Sequence, residues 1–140
     1  MASLSTVATD KKWDVNDIVI SIDGIVPDIY ASGDVFTLEY DQDHITISSD
    51  VYGNGIRIIN HNGQATLTVN VSRLSNIYAK MMAADQAYYD AQHTITITTP
   101  VERITTTTAS IQKKPNISAG NEAPNASIAF KCINADASAV

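Results

Sequence analysis

The sequence predicts a mainly β, α+β domain: a β-sandwich or barrel with one flanking α-helix. Three observations carry that prediction. Only one stretch, Ser72–Gln92, repeats its apolar residues at a helical period. The segments around it alternate polar and apolar residues, most cleanly over Gln64–Val71, where Ala65, Leu67, Val69 and Val71 oppose Gln64, Thr66, Thr68 and Asn70. A length of 140 residues suits one domain, 1–140, that buries a single core.

The helix is read as 72–92. Leu74, Ile77, Tyr78, Met81, Met82, Tyr88 and Tyr89 recur at steps of three and four, so they are expected to form the packing face. Arg73, Lys80, Asp85 and Asp90 fall mostly elsewhere, and Ala83, Ala84, Ala87 and Ala91 supply helix propensity. Ser72 or Ser75 can serve as N-cap, because a serine hydroxyl accepts a bond from an orphaned backbone N–H. No glycine marks the C-terminal end. One helix set between strands is expected to pack on or beside the sheets.

In chain order, residues 1–17 read as a polar N-terminal arm, with Trp13 as a terminal anchor packed on the domain or on a neighbouring copy. Ile18–Ile25 alternates and ends at Asp23-Gly24, where a turn is permitted. Val35–Tyr40 is a strand with Phe36, Leu38 and Tyr40 on one face. His44–Ser49 follows, with Ile45 and Ile47 expected inward. Gly53-Asn54-Gly55 is a hairpin tip, since those residues tolerate positive φ. Arg57–Ile59 and Gln64–Val71 complete five strands before the helix. After it, Thr94–Thr99, Val101–Ile111 and Ser127–Asn134 read as three more, and 135–140 as a small-residue C-terminal tail.

Charge excludes some functions. The formal net charge is −6, which argues against a grip on nucleic acid through phosphate neutralisation. Residues 1–60 hold ten acidic and three basic residues, and 61–140 hold five and six, an asymmetry suited to head-to-tail contacts between copies. Cys132 is the only cysteine, so no intrachain disulfide forms; it reads as a small buried hydrophobe in a strand, in a chain made under reducing conditions. No apolar run of signal-peptide type or of membrane-spanning length is present, so no membrane partner is expected.

Catalytic and metal chemistry find no foothold. Asp41, Asp43, His44 and Asp50 form the only cluster with ligand character, but a calcium loop's central glycine and terminal glutamate are missing. His44 and His61 lack the close spacing of a zinc site. Serines and threonines near histidines have no acid in a recognisable order, and no glycine loop cradles phosphate. The expectation is no enzyme, no metal and no cofactor. The threonine-rich run 94–108 reads as strands burying Ile95 and Ile97, with uncharged threonine rows outside that would make a smooth, wet wall.

The order of these parts resembles a known family. The strand 18–24, the GDVFTLEYD segment at 33–41, the acidic stretch with a glycine tip at 50–55, the ATLTVNVS strand and Ser75-Asn76 opening a helix come in sequence. Together, over 17–92, they resemble the tail tube proteins of bacteriophages, especially contractile-tailed ones, a fold shared with type VI secretion inner tubes. The resemblance implies a ring-forming structural protein: hexameric rings stacked into a tube through which DNA passes without specific binding. It implies partners (tail sheath, tape measure and baseplate proteins), a location in the virion tail, and assembly in the host cytoplasm.

Residues 41–62 would be the extended inter-ring hairpin, with Asp41, Asp43, His44, Asp50, Tyr52 and Asn54 as contacts and Lys113 and Lys114 on the facing surface. Its acidic residues have few local bases to pair them, so the tip is expected to be mobile in isolation. Long alternating strands also leave edges that a ring can pair. Two alternatives stay open: an inner-tube protein of a type VI or other contractile injection system, and a monomeric β-rich binding module, which would need exposed aromatics.

Overall fold

The computed structural model describes residues 10–122 and 124–140; the part of the expected arm over 1–9 lies outside them. A short 3-10 turn, Val15–Asp17, precedes β1 (Val19–Ile22), β2 (Phe36–Tyr40), β3 (Ile45–Ser49), β4 (Gly55–Ile59) and β5 (Ala65–Ser72). The helix α1 (Asn76–Ala87) follows, then β6 (His93–Thr98), β7 (Glu102–Ile111), β8 (Asn125–Cys132) and β9 (Asp136–Ala139). The fold is mainly β with antiparallel pairing, as the alternation predicts.

Seven strands form one sheet in the order β1-β6-β7-β8-β5-β2, with β9 also on β7; β3 and β4 pair only with each other. The ten-residue β7 has two different partners along one flank. Ala109–Ile111 pair with β8, whereas Glu102–Thr105 pair with β9. Its other flank is taken by β6. The strand therefore joins two half-sheets, β1-β6-β7-β9 and β7-β8-β5-β2, and the apolar faces of both enter one core.

Alternation builds that core. Ile20 and Ile22 of β1, Ile95 and Ile97 of β6, and Leu67, Val69 and Val71 of β5 are fully buried, as is Phe130 of β8. Cys132 is buried beside them, and burial pushes its thiol up from the ordinary range. The opposite face carries Thr66, Thr68 and Asn70 in register with Lys131, Ala129 and Ser127, and Glu39 and Thr37 beside the first two. The threonine run does not stay on one face. A bulge between His93 and Ile95 shifts the register, and Thr106 turns inward, its hydroxyl donating to the Asn134 carbonyl at 2.9 Å.

The turn after β1 is held by Asp23, the one described non-glycine residue with positive φ (52°). Its carboxylate accepts from the Thr94 N–H at 2.8 Å and lies 2.6 Å from Nδ1 of buried His93. Aspartate tolerates this backbone, and its side chain ties β1 to the start of β6.

The helix is shorter than 72–92 and its face is different. Ile77 and Met81 are buried and Tyr78 is half-buried, as expected. Leu74, Tyr88 and Tyr89 are 71%, 72% and 81% exposed, and Asp85 is buried instead. Residues 77, 81 and 85 lie one above another on one stripe. Leu74 precedes the first helical turn, and Tyr88 leaves the helix with extended backbone (φ −146°, ψ 118°), so neither can join it. Ser75 is the N-cap by position but makes no capping bond of its own. Asp28 caps from across the fold: its Oδ1 accepts from the Asn76 N–H and the Ser75 hydroxyl, both at 3.0 Å.

Three further expectations change. The tail 135–140 contains β9, because free backbone groups on β7 pair it despite its alanines and serines. Ile45 and Ile47 are 53% and 67% exposed, since the β3–β4 hairpin stands off the main sheet. Trp13 is 62% exposed on a groove with Val15, Ile18 and Val35, so it does not anchor the domain from within.

Two outcomes follow. Ile77→Ala or Met81→Ala should each lower unfolding free energy by about 2–5 kcal/mol in denaturant titration, whereas Lys80→Ala, on the exposed side, should change it by less than about 0.5 kcal/mol. Asp28 is held below its ordinary value of 3.8, first by the Asn76 N–H and then by the Ser75 hydroxyl. Its contribution is complete above that value and is lost as pH falls through the lower folded-state value. Asp28→Ala should therefore lower Tm at pH 7, and the difference from the parent should shrink on acidification below about pH 4.

Candidate functional site

The candidate site is the β3–β4 hairpin and its base. β2 and β5 pair as far as Tyr40 and Ala65. The two segments then separate and pair again as β3 and β4, from Ile45–Ile59 to Ser49–Gly55. Hydrogen bonds fasten the base. The Asp41 N–H donates to the Gln64 carbonyl at 3.0 Å, the Asn60 N–H to the His44 carbonyl at 2.7 Å, and the Asn60 amide to Gln42 Oε1 at 2.5 Å. The Tyr40 hydroxyl donates to the Ala135 carbonyl at 2.9 Å, tying the base to the chain entering β9.

Asp41 does not lack a base, contrary to expectation: Lys131 Nζ lies 2.8 Å from its carboxylate and also 3.2 Å from the Thr66 hydroxyl. Strand pairing of β8 with β5 brings this lysine across from position 66, a long-range contact that local spacing cannot show. His44 lines a cleft at the base with Tyr40, Arg57, His61, Asn134 and Asp136. Among the described residues, no group of three or more His, Cys, Asp or Glu side chains gathers as a metal site.

At the tip, Asp50 organises the turn. Its carboxylate accepts from the N–H groups of Tyr52 (2.9 Å) and Asn54 (2.8 Å) and from the Asn54 side-chain amide (3.0 Å). Gly53 takes the positive φ of 84°. The tip is thus bonded internally through Asp50. These bonds, the Asn54 side chain first, hold the Asp50 carboxyl below the ordinary aspartate range.

The hairpin's isoleucines dominate its surface, including Ile45 and Ile47, which the sequence leads one to expect inward. Ile45, Ile47, Ile56, Ile58 and Ile59 are 51–67% exposed, and Val51 and Tyr52 at the tip are 93% and 88% exposed. Cross-strand register puts Ile45, Ile47 and Ile59 on one face with Arg57, and Ile56 and Ile58 on the other with Ser48 and Thr46. A readable signal existed: Ile56-Arg57-Ile58-Ile59 breaks the alternation that a strand with one buried face would show.

Lys113 and Lys114 lie apart from the hairpin, in the loop after β7. They border a groove on the polar sheet face with Thr68, Asn125, Ser127 and Ala129. Arg73 pins this loop by donating to the Ser118 carbonyl and lies over the Tyr78 ring, 5.9 Å from its centre. Lys114 also borders a crevice with Met81 and Asp85, so the groove adjoins the buried side of the helix.

The Asp50 network carries a testable outcome. Its depressed carboxyl stabilises the turn above the ordinary aspartate range, and that contribution is lost as pH falls through the lower folded-state value. Amide protection at Tyr52 and Asn54, taken relative to the intrinsic rate at each pH, should fall in Asp50→Ala at neutral pH and in the parent protein as pH drops through the lowered folded-state value, while protection in β5 stays unchanged.

No protein-family model matches the chain, and no curated protein matches it by sequence. Solved structures do match by fold. A chain of the anti-feeding prophage tube-terminating cap aligns with a TM-score of 0.65 at 13% identity, over 100% of both chains. A chain of an extracellular contractile injection system's sheath–tube complex in the extended state aligns at 0.64 and 15%, again over 100% of both. One from that system's sheath/tube terminator aligns at 0.64 and 13%, over 94% of this chain and 99% of the other. This chain therefore has the fold of chains found in the tube, sheath–tube and terminator assemblies of contractile injection particles.

Proposed function

We propose that this chain is a non-catalytic structural subunit of the inner tube of a contractile tail or tail-like injection particle. Its copies form hexameric rings that stack, with sheath, tape measure and baseplate proteins as partners. The observation that carries the reading is the β3–β4 hairpin. A lone two-stranded hairpin is marginal in water, and this one exposes isoleucines on both faces. Such surface marks a site of association. Among the described residues, β1, β2 and β9 each pair with only one strand and so offer further backbone pairing between copies.

The polar sheet face supports a conduit. Its Thr37, Thr66, Thr68 and Ser127 hydroxyls are uncharged, Lys131 is paired with Asp41, Glu39 adds one negative charge, and Lys113 and Lys114 stand at its rim. A wall with so few unpaired charges wets without gripping a charged cargo tightly. Acidic side chains of the hairpin, Asp43 foremost, would meet Lys113 and Lys114 of the next ring. The cargo would be DNA in a phage tail, or protein in an injection particle. That two of the structures reported above come from an extracellular contractile injection system supports the second cargo. The subunit would be assembled in the producing cell's cytoplasm and reside in the particle.

Electron microscopy and light scattering of the purified protein at micromolar concentration test the reading. Stacked rings of constant bore are expected. Rings that never stack would assign the chain to a terminator instead. A monodisperse monomer at every ionic strength would overturn the assembly reading.

A further inference from the structure

We propose that the gap between β8 and the departing end of β7 is a docking slot for an extended acidic segment of another protein, which pairs with β8 as an added strand. The inference goes beyond the assembly reading and does not depend on it. β7 pairs with β8 only through Ala109, Ser110 and Ile111, after which the Gln112 N–H donates to the Ala129 carbonyl at 2.9 Å. Pro115 then has no N–H with which to carry the ladder on. β8 starts at Asn125, so its first half pairs with β5 alone. Along a strand, alternate residues aim their backbone groups to the same side. The Ala129 carbonyl points away from β5, and the N–H and carbonyl of Ser127, two residues earlier, therefore do the same. Among the described residues neither group has a backbone partner on that side, and Asn125 and Ser127 are exposed.

Charge selects the occupant. The slot opens into a groove of about 380 Å³, within the range of ligand clefts. Lys113 and Lys114 stand on its loop side, Asn116 and Asn125 add amides, and no acidic side chain is among the described residues that line it. Neither lysine forms an ion pair with a described residue. Asp43 of a next ring would neutralise only one of the two, because Asp41 is held by Lys131 and Asp50 by the tip turn. The remaining charge calls for a carboxylate. The open backbone of β8 calls for an extended chain that both donates and accepts, which is how added strands bind. A peptide does both, whereas a phosphodiester backbone has no N–H for the Ser127 carbonyl. The net charge of −6 also disfavours nucleic acid as the occupant. Backbone pairing thus supplies the affinity, and the two lysines supply the preference for acid.

The test is an NMR shift titration of the full, isotope-labelled chain with three blocked decapeptides. One alternates glutamate and threonine, one alternates lysine and threonine, and the third is the glutamate peptide with its backbone amides N-methylated, which removes every donor and keeps every charge. The glutamate peptide is expected to bind with a Kd below about 1 mM, and the Ser127 amide is expected to move downfield as it gains a partner. The lysine and methylated peptides are expected to bind about tenfold or more weakly. Lys113→Gln/Lys114→Gln should weaken the glutamate peptide to a similar degree and leave Tm unchanged, since both lysines are exposed. No binding up to about 1 mM, equal binding of the methylated peptide, or an unmoved Ser127 amide would overturn strand addition. Tighter binding of a single-stranded thymidine decanucleotide would assign the groove to nucleic acid instead. If stacked rings form and exclude a peptide that the free chain binds, the groove belongs to a contact between copies, and this proposal is wrong while the tube reading stands. A chain that binds the peptide but never forms rings keeps the slot and loses the tube.

Discussion

The fold depends on β7 changing partners along its length. Its last residues complete the sheet that contains β8, β5 and β2, and its first residues complete the one that contains β6 and β1. Each half-sheet alone has one apolar face and no cover. Joined through one strand, they bring Ile97, Ile104, Phe130 and Leu67 into a common core. The bulge opposite His93 and the inward turn of Thr106 belong to this change, because a strand serving two sheets cannot keep one register throughout.

The helix is secondary to that framework and is held by it. Its buried stripe is narrow, consisting of Ile77, Met81 and Asp85, and its N-terminus is capped by Asp28 from the loop after β1. Asn76 answers by bonding the Asp28 N–H and the Val26 carbonyl. A short helix with one capped end gains most of its stability from such tertiary contacts. Arg73, just before the helix, extends the tie to the loop that carries Lys113 and Lys114.

The hairpin is built on the opposite logic. The strands of the main sheet bury their isoleucines, whereas β3 and β4 leave theirs in water. Its base and tip are nonetheless fastened, by Asn60 and Tyr40 at one end and by Asp50 at the other. A segment fastened at both ends would lose less entropy on association, which suits the proposed assembly role. The three solved structures reported above share this fold at 13–15% identity.

Local pattern alone determined much of this protein. Alternation marked β5 with its buried face, β-rich composition marked β6 with Ile95 and Ile97 buried, Gly53 and Asp23-Gly24 marked turns, and Ile77 with Met81 marked the helix's inner side. Those features follow from side-chain periodicity and backbone tolerance, which are properties of neighbouring residues. Tertiary structure decided the rest. The helix starts where Asp28 caps Asn76, which leaves Leu74 outside, and it ends as Tyr88 turns to extended backbone. β9 exists because β7 had an unpaired edge, and Asp41 found Lys131 because β8 lies beside β5. Whether Ile45 and Ile47 face a core or water depends on which strands are adjacent in space, and apolar spacing along the chain carries no information about that.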